Sequence, residues 1–147
     1  MPIIRVTKEF RFEMAHALTN YDGKCKYIHG HSYVLKITVS GQPIEDENNS
    51  KLGMVIDFSD LKNIVNDNII ERFDHALVLS KKAKLADDLK CEYQKVEIVD
   101  YQPTCENLVM HFVEILKPLL PENVFLHHLK LHETATSCAE WFAADNQ

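Results

Sequence analysis

Residues 3–16 alternate, with Ile4, Val6, Phe10, Phe12 and Met14 on one side and Arg5, Thr7, Glu9, Arg11 and Glu13 on the other. Period two over this length predicts a half-buried strand. Residues 31–40 predict a second, with Tyr33, Leu35, Ile37 and Val39 set against Ser32, Lys36, Thr38 and Ser40. Residues 41–53 are a polar turn region, and Gly23, Gly30, Gly41 and Gly53 read as punctuation between periodic segments. Helical spacing of Leu61, Ile64, Val65 and Ile69 predicts a helix over about 59–72, capped by Ser59. Residues 80–92 are charged and weakly periodic, which reads as a loop or short helix; Val96 and Ile98 suggest a strand near 94–100. Pro103-Thr104 opens a second helix that buries Leu108, Val109, Phe112, Val113 and Leu116 and ends at Pro118 and Pro121. A last strand covers about 124–133, with Phe125, Leu129 and Leu131 in phase. This order predicts an α+β domain, a mainly antiparallel sheet with two helices on one face.

The chain has 147 residues, the length of one domain, and no repeat, linker or low-complexity tract divides it. Residues 1–147 are therefore read as a single domain. Sixteen Lys and Arg stand against 22 Asp and Glu, a net charge of −6. That balance argues against a general nucleic-acid surface, whose affinity comes from clustered cations. It leaves room for local binding of a small phosphorylated molecule. Charges at Arg5, Lys8, Glu9, Arg11 and Glu13 interrupt any signal-peptide core, and no run approaches a membrane span. Cys25, Cys91, Cys105 and Cys138 form no C-x-x-C pair. The expectation is a cytoplasmic protein with reduced thiols and no membrane partner.

Among eight histidines, three are in phase with the apolar rows. His16 extends the row of the first strand at its C-terminal end; His29 and His31 extend that of the second at its N-terminal end. An antiparallel pairing of the two strands brings all three imidazoles together. Gly30 between the two histidines leaves the backbone free to take an unusual conformation. Three converging neutral imidazoles suit zinc and leave a fourth position open, the catalytic arrangement. Against this, a lone His-Gly-His is common in surface loops, and one His on a strand face is ordinarily a hydrogen-bonded core residue.

Other positions admit two readings each. Cys25, beside Lys24 and Lys26, is a reactive thiol, a fourth metal ligand that closes the site, or an inert loop residue. Asp74-His75 is a carboxylate–imidazole pair or a helix-end His⁺ favoured by the dipole. Glu133 is a carboxylate in phase with the core, needing a partner or ligand, or simply the strand emerging into solvent. Thr104 and Glu106 have an ordinary helix-capping explanation.

Six short motifs follow one another along nearly the whole chain: F-x-F-x-x-A-H at Phe10–His16, C-x-x-x-H-G-H at Cys25–His31, V-I-D-F at Val55–Phe58, F-D-H at Phe73–His75, P-T-x-E-N at Pro103–Asn107 and ETATSC at Glu133–Cys138. As an ordered set they resemble the 6-pyruvoyltetrahydropterin synthase / 6-carboxytetrahydropterin synthase family. The resemblance implies the tunnelling fold, a four-stranded antiparallel sheet with two helices. It implies assembly into an oligomeric barrel, a homohexamer built as a dimer of trimers with active sites between subunits. The three-residue gap between Cys25 and H-G-H resembles the carboxy branch. That branch is a zinc-dependent carbon–carbon lyase that converts 7,8-dihydroneopterin triphosphate to 6-carboxy-5,6,7,8-tetrahydropterin, acetaldehyde and triphosphate, on the route to queuosine. The pyruvoyl branch, which eliminates triphosphate, and a non-catalytic zinc- or pterin-binding oligomer are the alternatives. By the same resemblance, His16, His29 and His31 hold Zn²⁺, Cys25 is the general base, His75 oriented by Asp74 carries a proton, and Glu133 anchors the pterin, with Glu106 and Thr104 beside it. Lys24 and Lys26 stand where they could meet the triphosphate or simply form a solvated loop. Segment 80–102, His132 and residues 139–147 depart from the family pattern.

Overall fold

The computed structural model describes residues 1–23, 26–83 and 95–147. Lys24, Cys25 and most of the expected loop or short helix at 80–92 lie outside the described residues.

Strands β1 (Ile4–His16) and β2 (His29–Gly41) are the long central pair, 13 residues each. They pair antiparallel from Ile4↔Gly41 to His16↔His29. β2 begins two residues before its expected start, so His-Gly-His is part of the strand. Gly30 is regular backbone there: Gly53 is the glycine with positive φ among the described residues, and a Cβ on Gly30 would make only ordinary contacts. The unusual conformation expected at Gly30 is therefore not found.

The first helical run is α1 (Phe58–Val65), a π-helical turn (Asn66–Ile70) and α2 (Glu71–Phe73). Its cap is Asp57, not Ser59: the Asp57 carboxylate accepts the Ser59 N–H at 2.8 Å. Helix α3 (Cys105–Leu116) is capped by Thr104, whose side chain accepts the Asn107 N–H at 3.2 Å. A 3₁₀ turn at Lys117–Leu119, containing Pro118, follows it. Strands β4 (Val96–Val99) and β5 (Phe125–Thr134) form within or close to the expected ranges, but Phe125 does not share the buried row of Leu129 and Leu131: the β2–β5 register shifts at Thr38/Val39, leaving Phe125 exposed and Leu126 buried.

Two strands were not expected, β3 (Ala76–Ser80) and β6 (Ser137–Phe142). The sheet thus has six strands rather than four, in the order β4-β3-β1-β2-β5-β6. It is mixed rather than all antiparallel, because β3 runs parallel to both β1 and β4. The reason lies in burial. β3 is the run ALVLS, buried at four of its five positions, and a strand covered on both faces carries no alternation.

One apolar cluster joins Phe12 and Met14 of β1, Leu35 and Ile37 of β2 and Leu129 and Leu131 of β5 to both helical runs. Phe112 of α3 has no exposed surface and packs edge-on against Phe12 and Phe73, at 6.1 and 5.2 Å between centroids. The opposite face of the sheet is polar, with Thr7–Thr38 and Arg11–Glu9 contacts. No helix of the described residues is long and apolar enough to cross a membrane.

Phe112→Ala is expected to cost about 3–5 kcal/mol in urea unfolding, as removal of a fully buried ring leaves a cavity between sheet and helices. Two thiols give a second test. Cys105 is buried at the start of α3, donates to the Leu131 carbonyl, and burial reinforced by the Glu133 charge pushes its thiol up to about 12. The neutral thiol therefore persists at any pH below that. Cys138 is exposed. Peptide mapping after maleimide treatment at neutral pH should find Cys138 labelled in the native protein and Cys105 only after unfolding.

Candidate metal centre and active site

His16 closes β1 and is 1% exposed. Its Nδ1 donates to the Pro103 carbonyl at 2.7 Å, because a carbonyl oxygen can only accept. His29 makes the same kind of bond, Nδ1 to the Tyr27 carbonyl at 2.7 Å. In a neutral ring this leaves Nε2 with a bare lone pair. The two Nε2 atoms stand 3.0 Å apart. Nε2 of His31 is buried and has no partner. One nitrogen from each of the three rings thus gathers within a 4.8 Å span.

Burial holds His16 and His31 below the ordinary imidazole value, and the neighbouring His29 pushes both the same way; the Glu133 carboxylate, with the Pro103 carbonyl at His16, opposes the shift. Both rings are therefore neutral at pH 7, the form that binds a metal. The Nε2 lone pairs of His16 and His29 face one another with no proton between them, and a divalent cation accepting both, with the unpartnered His31 Nε2 beside them, would remove that conflict. The carbonyl bonds at Nδ1 fix ring orientation as outer-shell partners of metal-binding histidines do. The donor set fits zinc, with nitrogen ligands that hold the ion at about 2.0–2.1 Å.

Glu133 comes to the same place. Its Oε1 lies 3.5 Å from His16 Nε2 and 3.8 Å from His31 Nε2, and Tyr33 O–H donates to it over 3.5 Å. The β5–β6 register slips at this residue, between His132 and Thr134. A slip of this kind aims a side chain away from the regular ladder. Burial and the Glu133 charge raise the Tyr33 phenol, so it stays a donor.

Asp74 and His75 form the expected pair: His75 Nδ1 is 2.9 Å from Asp74 Oδ1, which also accepts the Glu13 N–H at 2.9 Å. His75 takes a positive φ of 61°, and its N–H donates to the Glu13 carbonyl at 2.5 Å. Its side chain is 76% exposed. An open cleft of about 470 Å³ is lined by His31 and His75 together with Glu13, Ser32 and Lys95. Of the three clustered histidines, His31 reaches this cleft, whereas His16 and His29 do not line it.

Thr104 is engaged as the α3 cap, next to the Pro103 carbonyl that holds His16. Glu106 is not brought to the trio within this chain; it lines a separate groove with Val109, Met110 and Trp141. Cys25 precedes His29 by four residues but lies outside the described residues. Sequence reasoning missed two contributors. Tyr33 has the parity of His29 and His31, which was a usable signal. The Pro103 carbonyl carries no side-chain signal at all.

Comparison with known proteins bears on both fold and site. Residues 5–144 match the family model of 6-pyruvoyl tetrahydropterin synthase. A 6-carboxy-5,6,7,8-tetrahydropterin synthase of Rickettsia felis is 34% identical over 142 residues, covering 94% of this chain and 99% of that one. The enzyme of the same name from Haemophilus influenzae is 34% identical over 143 residues, covering 95% and 99%. Among solved structures, the 6-pyruvoyl tetrahydropterin synthase of Caenorhabditis elegans superposes with a TM-score of 0.71 at 24% identity, over 97% of each chain. An uncharacterized protein from Wolinella succinogenes gives 0.77 at 19% identity, over 97% of this chain and 99% of that one. These structural likenesses establish a shared fold, and with the match along almost the entire sequence they lead to one conclusion: the chain belongs to the 6-pyruvoyl tetrahydropterin synthase family.

Proposed function

We propose that this protein is a zinc-dependent 6-carboxy-5,6,7,8-tetrahydropterin synthase. It converts 7,8-dihydroneopterin triphosphate to 6-carboxytetrahydropterin, acetaldehyde and triphosphate, as a cytoplasmic carbon–carbon lyase on the route to queuosine. The observation that carries this reading is the convergence of one ring nitrogen from each of three histidines beside the Glu133 carboxylate. The relatives named 6-carboxytetrahydropterin synthase support the carboxy product.

His16, His29 and His31 hold the zinc, which as a Lewis acid supplies stabilisation of the negative charge that develops on the substrate. Cys25 is the general base that takes a proton from the pterin side chain. His75, held by the Asp74 carboxylate, carries a proton. Glu133 anchors the pterin by accepting two parallel hydrogen bonds from the ring's amino group and adjacent N–H. Its place against the trio leaves a second role open to it, that of a further metal ligand. Thr104 and Glu106 complete the pterin pocket. Because Glu106 faces another groove of its own chain, it serves that pocket across a subunit boundary, in keeping with a homohexamer of two trimers.

Zinc-loaded protein incubated with dihydroneopterin triphosphate should release acetaldehyde and a 6-carboxytetrahydropterin, identified by mass. A 6-pyruvoyl product would assign the pyruvoyl reaction, and unconsumed substrate with retained binding would assign a non-catalytic module. Cys25→Ala should keep zinc and lose about 10²–10⁴-fold in kcat, the usual scale for a missing general base. Glu133→Gln should keep zinc and raise KM; loss of zinc in that variant would make Glu133 a ligand instead. Chelation should abolish turnover and lower Tm, whereas zinc at 100 times its Kd adds about 2.7 kcal/mol of stability.

A further inference from the structure

The Asp74–His75 peptide is gripped from two sides. On one side the His75 N–H donates to the Glu13 carbonyl of β1 at 2.5 Å. On the other, the Asp74 carbonyl accepts from Nζ of Lys95 at 2.9 Å, and the same ammonium donates to the Glu71 carbonyl. Lys95 stands at the entrance to β4, where its own carbonyl accepts the Leu77 N–H at 2.8 Å. Its base is therefore tied to the strand that follows His75.

This arrangement is more than a charge at a helix end. The helical run ends at Phe73, with its last backbone bond from Asp74 N–H to the Ile70 carbonyl at 2.8 Å. Lys95 reaches both the last turn, through Glu71, and the peptide beyond it, through Asp74. It thereby sets the angle at which the chain leaves the helix. The next residue has a positive φ, which a side chain with a Cβ adopts only when its surroundings impose it. The His75 side chain is 76% exposed. The ring's direction thus depends on the Asp74 carboxylate and on the backbone that carries both groups. Among the described residues, no other side chain hydrogen-bonds the backbone of residues 71–75. Lys95 also lines the cleft into which His75 opens.

We infer that Lys95 is a positioning residue for His75: its ammonium, bridging the Glu71 and Asp74 carbonyls, holds the elbow that aims the imidazole into the cleft shared with His31. The inference takes the role of His75 from the function proposed above, but its structural half stands independently. Lys95 acts through the backbone, so its removal changes how His75 is presented and leaves the metal trio and the pterin anchor in place.

The test uses the intact zinc-loaded protein with Lys95→Met and Lys95→Arg. Amide hydrogen exchange followed by NMR reads the elbow directly. In Lys95→Met the His75 amide should lose about tenfold or more of its protection, the scale of a lost charge-assisted hydrogen bond, while amides of β2 keep theirs. Lys95→Arg, which keeps a cation and its donors, should restore protection. On dihydroneopterin triphosphate, Lys95→Met should lower kcat by about 10²-fold with KM unchanged, as misplacement of a reacting group does, and Lys95→Arg should recover most of it. Unaltered His75 exchange in Lys95→Met overturns the inference whatever the activity. So does a raised KM with kcat kept, which would make Lys95 a direct contact for substrate anions. So does a lower Tm alone, which would leave Lys95 a helix cap and nothing more. If the wild-type protein does not consume the pterin, the functional reading fails and the His75 exchange still decides this point.

Discussion

The register between β1 and β2 is the constraint on which both core and site depend. Side chains on a strand alternate faces, so a slip of one residue would turn an entire row outward. In the pairing that forms, Phe10, Phe12 and Met14 oppose Leu35, Tyr33 and His31, and His16 opposes His29. The hydrophobic interlock of the first pairs thus selects the meeting of the last. The histidines need no separate device to bring them together. They occupy the final positions of rows whose other members are held by burial, and they inherit that precision.

A second junction finishes what the register begins. The turn into α3 presents the Pro103 carbonyl to His16, caps the helix through Thr104 and sends the Cys105 thiol to the Leu131 carbonyl. That last contact stitches α3 to β5 two residues before Glu133. One short segment therefore steadies the buried imidazole on one strand and the neighbourhood of the carboxylate on another. Burial of the His16 ring is costly unless its polar atoms are satisfied. The Pro103 carbonyl satisfies Nδ1 and leaves Nε2 for a ligand.

What could be read from the sequence follows from which interactions leave a periodic trace. β1, β2, β5 and both helical runs bury one face and expose the other, so their residues alternate or recur at helical spacing. The three histidines were legible for the same reason: each shares the parity of its row. β3 is covered on both faces and shows only a run of apolar residues, so its place between β1 and β4 left no pattern. β6 alternates weakly, Ala139 and Trp141 half-buried against exposed neighbours, and it lies on the sheet edge. The cap of the first helix was misplaced by two residues because Asp57 and Ser59 are both capping types, and only the direction of the Asp57 carboxylate separates them. Backbone acceptors such as the Pro103 and Tyr27 carbonyls have no signature in side-chain chemistry. The proximity of Glu133 to the trio needed the slipped register at His132–Thr134, which no single strand reveals.

The two poles of the site are held in different ways, and the difference suits their tasks. A metal ligand set works by fixed geometry, and His16 is buried at the end of the β1 row, where packing resists rearrangement, with His29 and His31 half-buried against it at the start of β2. The proton-carrying role proposed for His75 requires access to both substrate and solvent, and His75 stands outside the core on a left-handed turn with most of its side chain exposed. Packing cannot aim such a ring, so hydrogen bonds to its backbone and to Asp74 must do so. The fold joins the two regimes at Glu13 and Met14, adjacent residues of β1. Met14 opposes His31 in the sheet, and the Glu13 backbone takes the His75 N–H and gives its own to Asp74. Any shift of β1 at these residues would therefore move both the neighbourhood of His31 and the Asp74–His75 elbow.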